Sequence, residues 1–451
     1  MSVELEKKIA DFRELLEKRD MHALREFLLP INEVDIALLI ENTGREESAL
    51  VFRLLPKEIA ADVFANLPIE QQQALIEAFS DREVGEMINA LYVDDAVDLL
   101  EEMPANFVQR VLRQVGSGRR EVINHFLRYE EDSAGSLMTA EMIHLRSEMT
   151  VGEAIQRIRD YGEHCEVIDT GYVTLPDRVL EGYITLRTLL TSSDDEVVGE
   201  LMQTDVISAR TDDDQEEVAH LFSRYDLLSL PVVDHENRLV GIITIDDVVD
   251  VIQEEATEDI EKMAAIVPSE ESYLRTGVFT QARHRVGWLL FLMLSGILNG
   301  IILQRYEAAF LAMPILVSFV PMLTDTGGNA GSQSSTLVVR GLSLNEISTR
   351  DFWKVFWKEF QVSLLVSAVL GTVNFLQIGL RNDHNWMLAL TVSLALTAIV
   401  ILSKLVGGTL PLVAKKLRLD PAIMAAPLIT TIVDAIGLIV YFAVATVLLP
   451  I

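Results

Sequence analysis

Asp434 is the only charged side chain between Ala422 and Ile451, in an apolar run long enough to cross a bilayer. An acid near the middle of such a helix costs roughly 2.5–3.5 kcal/mol to insert. A sequence keeps that penalty when the carboxylate meets an aqueous path, a cation or a proton relay. The blander alternative is a protonated acid hydrogen-bonded between helices. Pro427, Thr430 and Thr431 precede Asp434 by seven, four and three residues, so Pro427, Thr430 and Asp434 share one helix face. Two copies meeting on a two-fold axis would set two Asp434 carboxylates opposite each other, a ring suited to a divalent ion. A second polar run, Thr324-Asp325-Thr326-Gly327-Gly328-Asn329-Ala330-Gly331-Ser332-Gln333, follows Pro314 and Pro321. Prolines release carbonyls, glycines permit close approach or unwinding, and irregular backbone at membrane depth persists only where it lines water or is buried in protein. Carbonyls, Asn329 and Gln333 then offer acceptors to water held around a cation. A packing face of small residues is the competing reading.

These side chains are carried by five apolar segments, about 286–303, 308–324 with an extension to 340, 361–380, 385–413 and 422–449. Arg283 and Arg285, then Arg340, Arg350, Lys354 and Lys358, then Lys415, Lys416 and Arg418 fall on one side, against Arg305 and Arg381 on the other. That asymmetry predicts a cytoplasmic N-terminus and an extracytoplasmic C-terminus. An odd number of spans leaves no simple internal duplication, so a pore is expected between subunits.

Of 68 acids and 37 Lys/Arg, eight and twelve lie in residues 278–451, which leaves that part at +4 and residues 1–277 at −35. So acidic a region repels nucleic acid and anionic lipid and attracts cations. One cysteine, Cys165, excludes an intramolecular disulfide framework and suits a reducing compartment. The charged amphipathic start, MSVELEKKIADFRELLEKRD, has no signal-peptide core.

Residues 1–130 read as short helices punctuated by Pro30, Pro56, Pro68 and Pro104, with apolar clusters about every twelve residues. This pattern predicts an α-superhelical domain. Residues 131–253 repeat: Gly135-Ser136-Leu137-Met138 matches Gly199-Glu200-Leu201-Met202, and Gly182-Tyr183-Ile184-Thr185 matches Gly241-Ile242-Ile243-Thr244. The repeat resembles a tandem pair of α/β CBS domains. In such modules the Thr-x-x-Asp pattern, here Thr244 and Asp247, can hold a ribose, which makes an adenine nucleotide such as ATP an expected ligand. The first copy has Thr185-Leu186-Arg187-Thr188, without the acid. An acidic linker helix occupies residues 254–277, and residues 278–451 form the five-helix membrane domain.

The order of acidic helical domain, CBS pair, linker helix and five spans resembles the MgtE family of magnesium channels across the whole chain. Pro321 with Gly327-Gly328-Asn329-Ala330-Gly331-Ser332-Gln333, and Pro427-Leu428-Ile429-Thr430-Thr431-Ile432-Val433-Asp434, carry the resemblance. It implies a multi-pass homodimer in the cell membrane, a central path for Mg²⁺, a cytosolic magnesium sensor that closes it, and Asp434 as the ion-selecting carboxylate. Mg²⁺ dehydrates reluctantly and is usually held by few carboxylates with waters retained, which one acid per subunit suits. Regulatory ligands are expected at Asp94, Asp95 and Asp98, at Asp212 to Asp214 with Glu216, Glu217 and Asp226, at Asp246, Asp247 and Asp250, and at Glu254, Glu255, Glu258 and Asp259. No His-Glu-x-x-His pattern, nucleophile elbow or Walker motif supports an enzyme or an ATP-driven pump. A proton-coupled divalent-cation transporter regulated by nucleotide is the alternative. A membrane-tethered nucleotide sensor is the other, and it leaves Asp434 unexplained.

Overall fold

Proline sets the rhythm of the N-terminal region. The computed structural model describes residues 3–449 except 42, 102, 270–272, 275, 382–384 and 425. Among these, ten helices run from Val3–Lys18 to Ser117–Phe126. Pro56, Pro68 and Pro104 each occupy the residue before a helix, where a ring that fixes φ and lacks an N–H interrupts no helical bond. Ser80 starts another helix through a reciprocal capping box with Glu83. The recurring apolar residues, among them Ile36, Val51, Val63, Leu75 and Val97, are buried in one core.

That core does not end at residue 130. It continues through Met138, Ala209, Val218, Phe222, Ile243 and Val248 of the repeat region, so the helical region and the second CBS copy pack as one body. The chain divides instead into Met1–Ile252 and Gln253–Ile451.

The repeat folds as two three-stranded sheets of identical order. β1 (His144–Leu145) runs parallel to β2 (Thr170–Thr174), which pairs antiparallel with β3 (Leu180–Thr185). β4 (Ala209–Arg210), β5 (Ser229–Val233) and β6 (Leu239–Thr244) repeat the arrangement. The Leu-Met segments explain the matched glycines. Thr139 bridges to Ile242 and Gln203 to Tyr183, so each copy's leading segment lies on the other copy's last strand. A Cβ on Gly241 would sit 2.7 Å from Met138 Sδ and Thr139 O, and one on Gly182 2.7 Å from Gln203 O.

The linker is not a separate element. Helix Ile245–Met263 begins at the end of β6 and runs unbroken through the expected boundary. It stops five residues before Pro268 on a left-handed Ala265, with Ile266 N–H bonded to Glu261 O and Ala265 N–H to Lys262 O.

In the second unit, Val278–Arg305, Thr349–Arg381, Trp386–Lys416 and Ala426–Leu448 are long and apolar enough to cross a membrane. The second expected span is divided into helix Glu307–Ala312, a 3-10 turn at Pro314–Phe319, and the polar helix Val320–Ser343. The expected opening of the backbone therefore falls elsewhere than at the glycines. Pro321 and Pro427 lie in the first turns of their helices, where no interior bond is lost. Residues 327–331 are regular helix, and none of the glycines has positive φ.

Gly241→Ala should destabilise the Met1–Ile252 unit by about 1–3 kcal/mol through overpacking. Gly118→Ala, with open space at its Cβ in helix Ser117–Phe126, should raise stability slightly. Thermal unfolding of the two variants checks the opposite signs.

Candidate ion sites

The polar helix lies against helix Ala426–Leu448 because its glycines allow it. A Cβ on Gly328 would come within 2.9 Å of Thr430 Cγ2, and one on Gly331 within 2.7 Å of Ile429 Cγ2. On another face of the polar helix, Asp325, Asn329 and Gln333 recur every four residues and are all exposed. Asp434 Oδ1 is buried with no hydrogen-bond partner. Thr430 donates its hydroxyl to Ala426 O at 2.8 Å and Thr431 to Pro427 O at 3.0 Å. Both hydroxyl hydrogens are thus used, and what these oxygens and the carboxylate can still do is accept. An acceptor-only surface suits the outward-pointing hydrogens of a cation's water shell.

A second site lies in the Met1–Ile252 unit. Asp94 in helix Val93–Glu101, Glu166 after the first CBS helix, and Asp247 in the first turn of helix Ile245–Met263 bring one carboxylate oxygen each within 4.8 Å of one another. Asp94 is 7 % exposed, and Asp94 Oδ1 and Glu166 Oε2 are buried without partners. Thr244 Oγ1 lies 2.6 Å from Asp247 Oδ2 and 3.1 Å from Glu166 Oε1. One hydroxyl hydrogen fully satisfies at most one of these acceptors, so the pair is left short of donors.

Burial, then the Asp247 charge, pushes Glu166 up to about 8. Burial, then Glu166, Asp95 and Asp247, pushes Asp94 well above its ordinary range. Asp247 rises to about 6 through burial, despite the Thr244 bond. Asp95 also rises to about 6, through burial and then Asp246 and Asp62. Three close carboxylate oxygens without a counter-charge are what a divalent cation neutralises.

The sequence-derived ligands divide accordingly. Asp94 and Asp247 meet. Asp95 and Asp98 line a neighbouring cleft of about 140 Å³, and Asp250 is pushed up by burial and by Asp246. Asp214 caps helix Gln215–Tyr225 by accepting from Glu216 N, and Asp226 ends that helix in a left-handed conformation. Glu216, which pairs with His220 at 3.7 Å, and Asp226 are not members of the three-carboxylate cluster. Glu258 accepts from Lys262 at 2.6 Å, Lys262 reaches Asp420 at 2.7 Å, and Asp259 accepts from Ser343 at 2.8 Å. Burial opposes the Lys262 charge, but Asp420 and Glu258 outweigh it and raise its pKa. Glu255 lies on the same helix, outside these bonds. Thr244, expected as a ribose contact, is wholly buried. Glu166 is the ligand sequence reasoning missed, because nothing in its local pattern marks a residue that the strand order carries to Thr244.

Acids held above their unfolded pKa keep more protons in the native state, so metal-free stability is greatest below the unfolded carboxylate range and falls as pH rises from about 4.5 to about 8. Glu166→Gln should flatten that fall and stabilise the metal-free protein at pH 8 by on the order of 2 kcal/mol, discounted for partial exposure. Unfolding temperatures in chelator across this pH range test both statements.

Three family profiles match in chain order: the MgtE intracellular N domain over residues 31–132, the CBS domain over 134–195 and 198–254, and a divalent cation transporter profile of MgtE over 320–444. The magnesium transporter MgtE of Thermus thermophilus is 39% identical over 451 residues, 99% of each chain. That of Bacillus subtilis is 32% identical over 426 residues, 94% of each chain. The crystal structure of the soluble part of a magnesium transporter is 29% identical with a TM-score of 0.53, covering 56% of this chain and 99% of that one. The cytosolic domain of the Mg²⁺ channel MgtE in complex with ATP is 38% identical with a TM-score of 0.52, covering 54% and 99%. With that identity over nearly its whole length, and with its acidic helices, CBS pair and apolar helices in the same order, the chain belongs to the MgtE family of magnesium transporters.

Proposed function

We propose that this transporter admits Mg²⁺ to the cytoplasm, down its electrochemical gradient, through a channel whose selecting group is Asp434. The buried, partnerless Asp434 oxygen beside hydroxyls that can only accept is the observation that carries this reading. A partly hydrated Mg²⁺ satisfies the carboxylate at one coordination position and the surrounding acceptors through its waters. Asn329 and Gln333 extend the acceptor surface. A homodimer completes the path. Its support is the uncovered stripe of Asp325, Asn329 and Gln333, and helix Val278–Arg305, none of whose described residues is buried within the chain. The arginine and lysine asymmetry supports a cytoplasmic N-terminus.

Feedback closure rests on Asp94, Glu166 and Asp247, with Asp95, Asp98, Asp246 and Asp250 around them. Filled by magnesium, these carboxylates hold the helical region against the start of helix Ile245–Met263. Empty, they repel. Further along the same helix, Asp259 and Lys262 are bonded to Ser343 and Asp420 of the membrane unit, so that unit has a direct attachment to the helix. ATP at the CBS pair is supported by the related cytosolic domain that holds it. At Thr244 and Asp247, however, the buried hydroxyl bonded to two carboxylates favours a cation over a ribose.

Asp434→Asn should reduce magnesium uptake at least tenfold, equivalent to about 1.4 kcal/mol or more, with normal membrane insertion. Growth rescue of a magnesium-uptake-deficient bacterium measures it, and full rescue by well-expressed variant would remove Asp434 from the path. Neutralising Asp94, Glu166 and Asp247 together should leave unitary magnesium currents open at millimolar cytosolic Mg²⁺, where the unaltered channel closes. Steady electroneutral uptake without unitary events would instead favour a proton-coupled transporter.

A further inference from the structure

Two ionisable side chains of the membrane unit are buried and have no part in the reading above. Glu359 in helix Phe352–Arg381 is 9 % exposed, and Lys404 in helix Trp386–Lys416 is 4 % exposed. Ser334 of the polar helix joins them. Its hydroxyl donates to Glu359 Oε2 at 2.6 Å and accepts from Lys404 Nζ at 3.4 Å. The acid and the base thus sit on two different helices and meet through one hydroxyl on a third.

The surrounding backbone is shaped for this meeting. A Cβ on Gly408 would come 2.7 Å from Glu359 Cγ, so the acid's stem occupies a recess that only glycine leaves. A Cβ on Gly407 would come 2.1 Å from Gly331 O, so the two helices touch backbone to backbone one turn from Lys404 and Ser334. Glycine faces permit close approach, but they prescribe rotation weakly, having no side chain to interlock. A hydroxyl tied to charged groups on two sides prescribes it strongly. Charge-assisted bonds are roughly twice as strong as neutral ones, and a buried charge left alone is strongly disfavoured. Turning the polar helix by one residue, about 100°, would break both bonds together. Gln333 is the residue next to Ser334, and Asn329 lies on the Gln333 face one turn away.

We propose that Lys404 and Glu359, acting through Ser334, are positioning residues for ion selection. They fix the rotation of the polar helix and so aim Asn329 and Gln333 at the ion. The proposal rests on the assignment of Asp434 and its acceptor surface as the ion path.

Full-length protein in proteoliposomes supplies the test, with Mg²⁺ and Co²⁺ uptake measured separately and with yield and unfolding temperature recorded. Lys404→Met and Glu359→Gln should each lower Mg²⁺ uptake about tenfold or more, the effect of stranding one buried charge. The double variant should regain the yield and unfolding temperature that the single ones lose, because removing both charges strands neither, but keep a Mg²⁺ to Co²⁺ uptake ratio changed at least about threefold, because no charge-assisted bond then fixes the rotation. Ser334→Ala, which leaves no cavity larger than one oxygen but takes the bridging hydroxyl from both charges, should lower the unfolding temperature and change the Mg²⁺ to Co²⁺ uptake ratio at least about threefold. If the single variants fold poorly, Ser334→Ala and Lys404→Arg decide, the first shifting the ratio and the second preserving it. A double variant with yield and unfolding temperature no better than the worse single one, or an unchanged ratio in it or in Ser334→Ala, overturns the proposal. Asp434→Asn run alongside keeps the outcomes apart. Its full activity would remove the path assignment, whereas its inactivity beside an unchanged ratio in Ser334→Ala would remove only the positioning role.

Discussion

Carboxylates withheld from water without matching cations are the constraint around which both halves of this molecule are arranged. Asp434 in the membrane unit, and Asp94 with Glu166 in the Met1–Ile252 unit, each present a buried oxygen without a hydrogen-bond partner among the described residues. Burying an ionised carboxylate is tolerated only with a partner, a proton or a metal. In the Met1–Ile252 unit burial and the Asp247 charge push Glu166 up, toward its protonated form, and Thr244 Oγ1 lies within reach of both acids. The two sites nevertheless use acids differently. Three converging oxygens can replace part of an ion's water shell. A single carboxylate flanked by hydroxyl oxygens leaves most of that shell in place, as an ion that must also depart requires.

Much of this was legible in the sequence because it depends on residue type along one element. Asp434 stood out against twenty-nine apolar or neutral neighbours, the prolines marked helix starts, and the Gly-x-x-Thr repeat announced two equivalent sheets. What escaped depends on relations between elements. Glu166 sits in an irregular stretch, and its role arises from the strand order that brings it to Thr244. Lys404 lies inside one apolar run and Glu359 just before another, and neither position reveals that Ser334 joins them. The glycines of the polar run allowed two readings, an opening of the backbone or a packing face, and they serve close packing against Thr430 and Ile429. Sequence could offer both readings because absence of a Cβ permits both. The contacts choose between them.

The intertwined CBS copies show the same dependence from another side. Each copy completes its outer edge with the other's leading Leu-Met segment, so neither copy is a finished fold alone. The hydrophobic core that runs on into the N-terminal helices makes their surfaces answerable to one another. A carboxylate cluster drawn from all three regions is therefore placed by their joint packing and by no one of them alone.

Helix Ile245–Met263 has a consequence of a different kind. Asp247, Asp250, Glu254 and Glu258 fall at intervals of three, four and four residues, so they form one stripe along a single rod. Asp247 and Glu258 are separated by about 16 Å of rise with almost no net rotation, since eleven residues come close to three full turns. Such a rod encodes its message as phase as well as reach. Exchanging a side chain along it alters one contact, whereas adding or deleting one residue would turn everything beyond by about 100° and misdirect the whole stripe. The chemistry of this helix can therefore drift far more freely than its length.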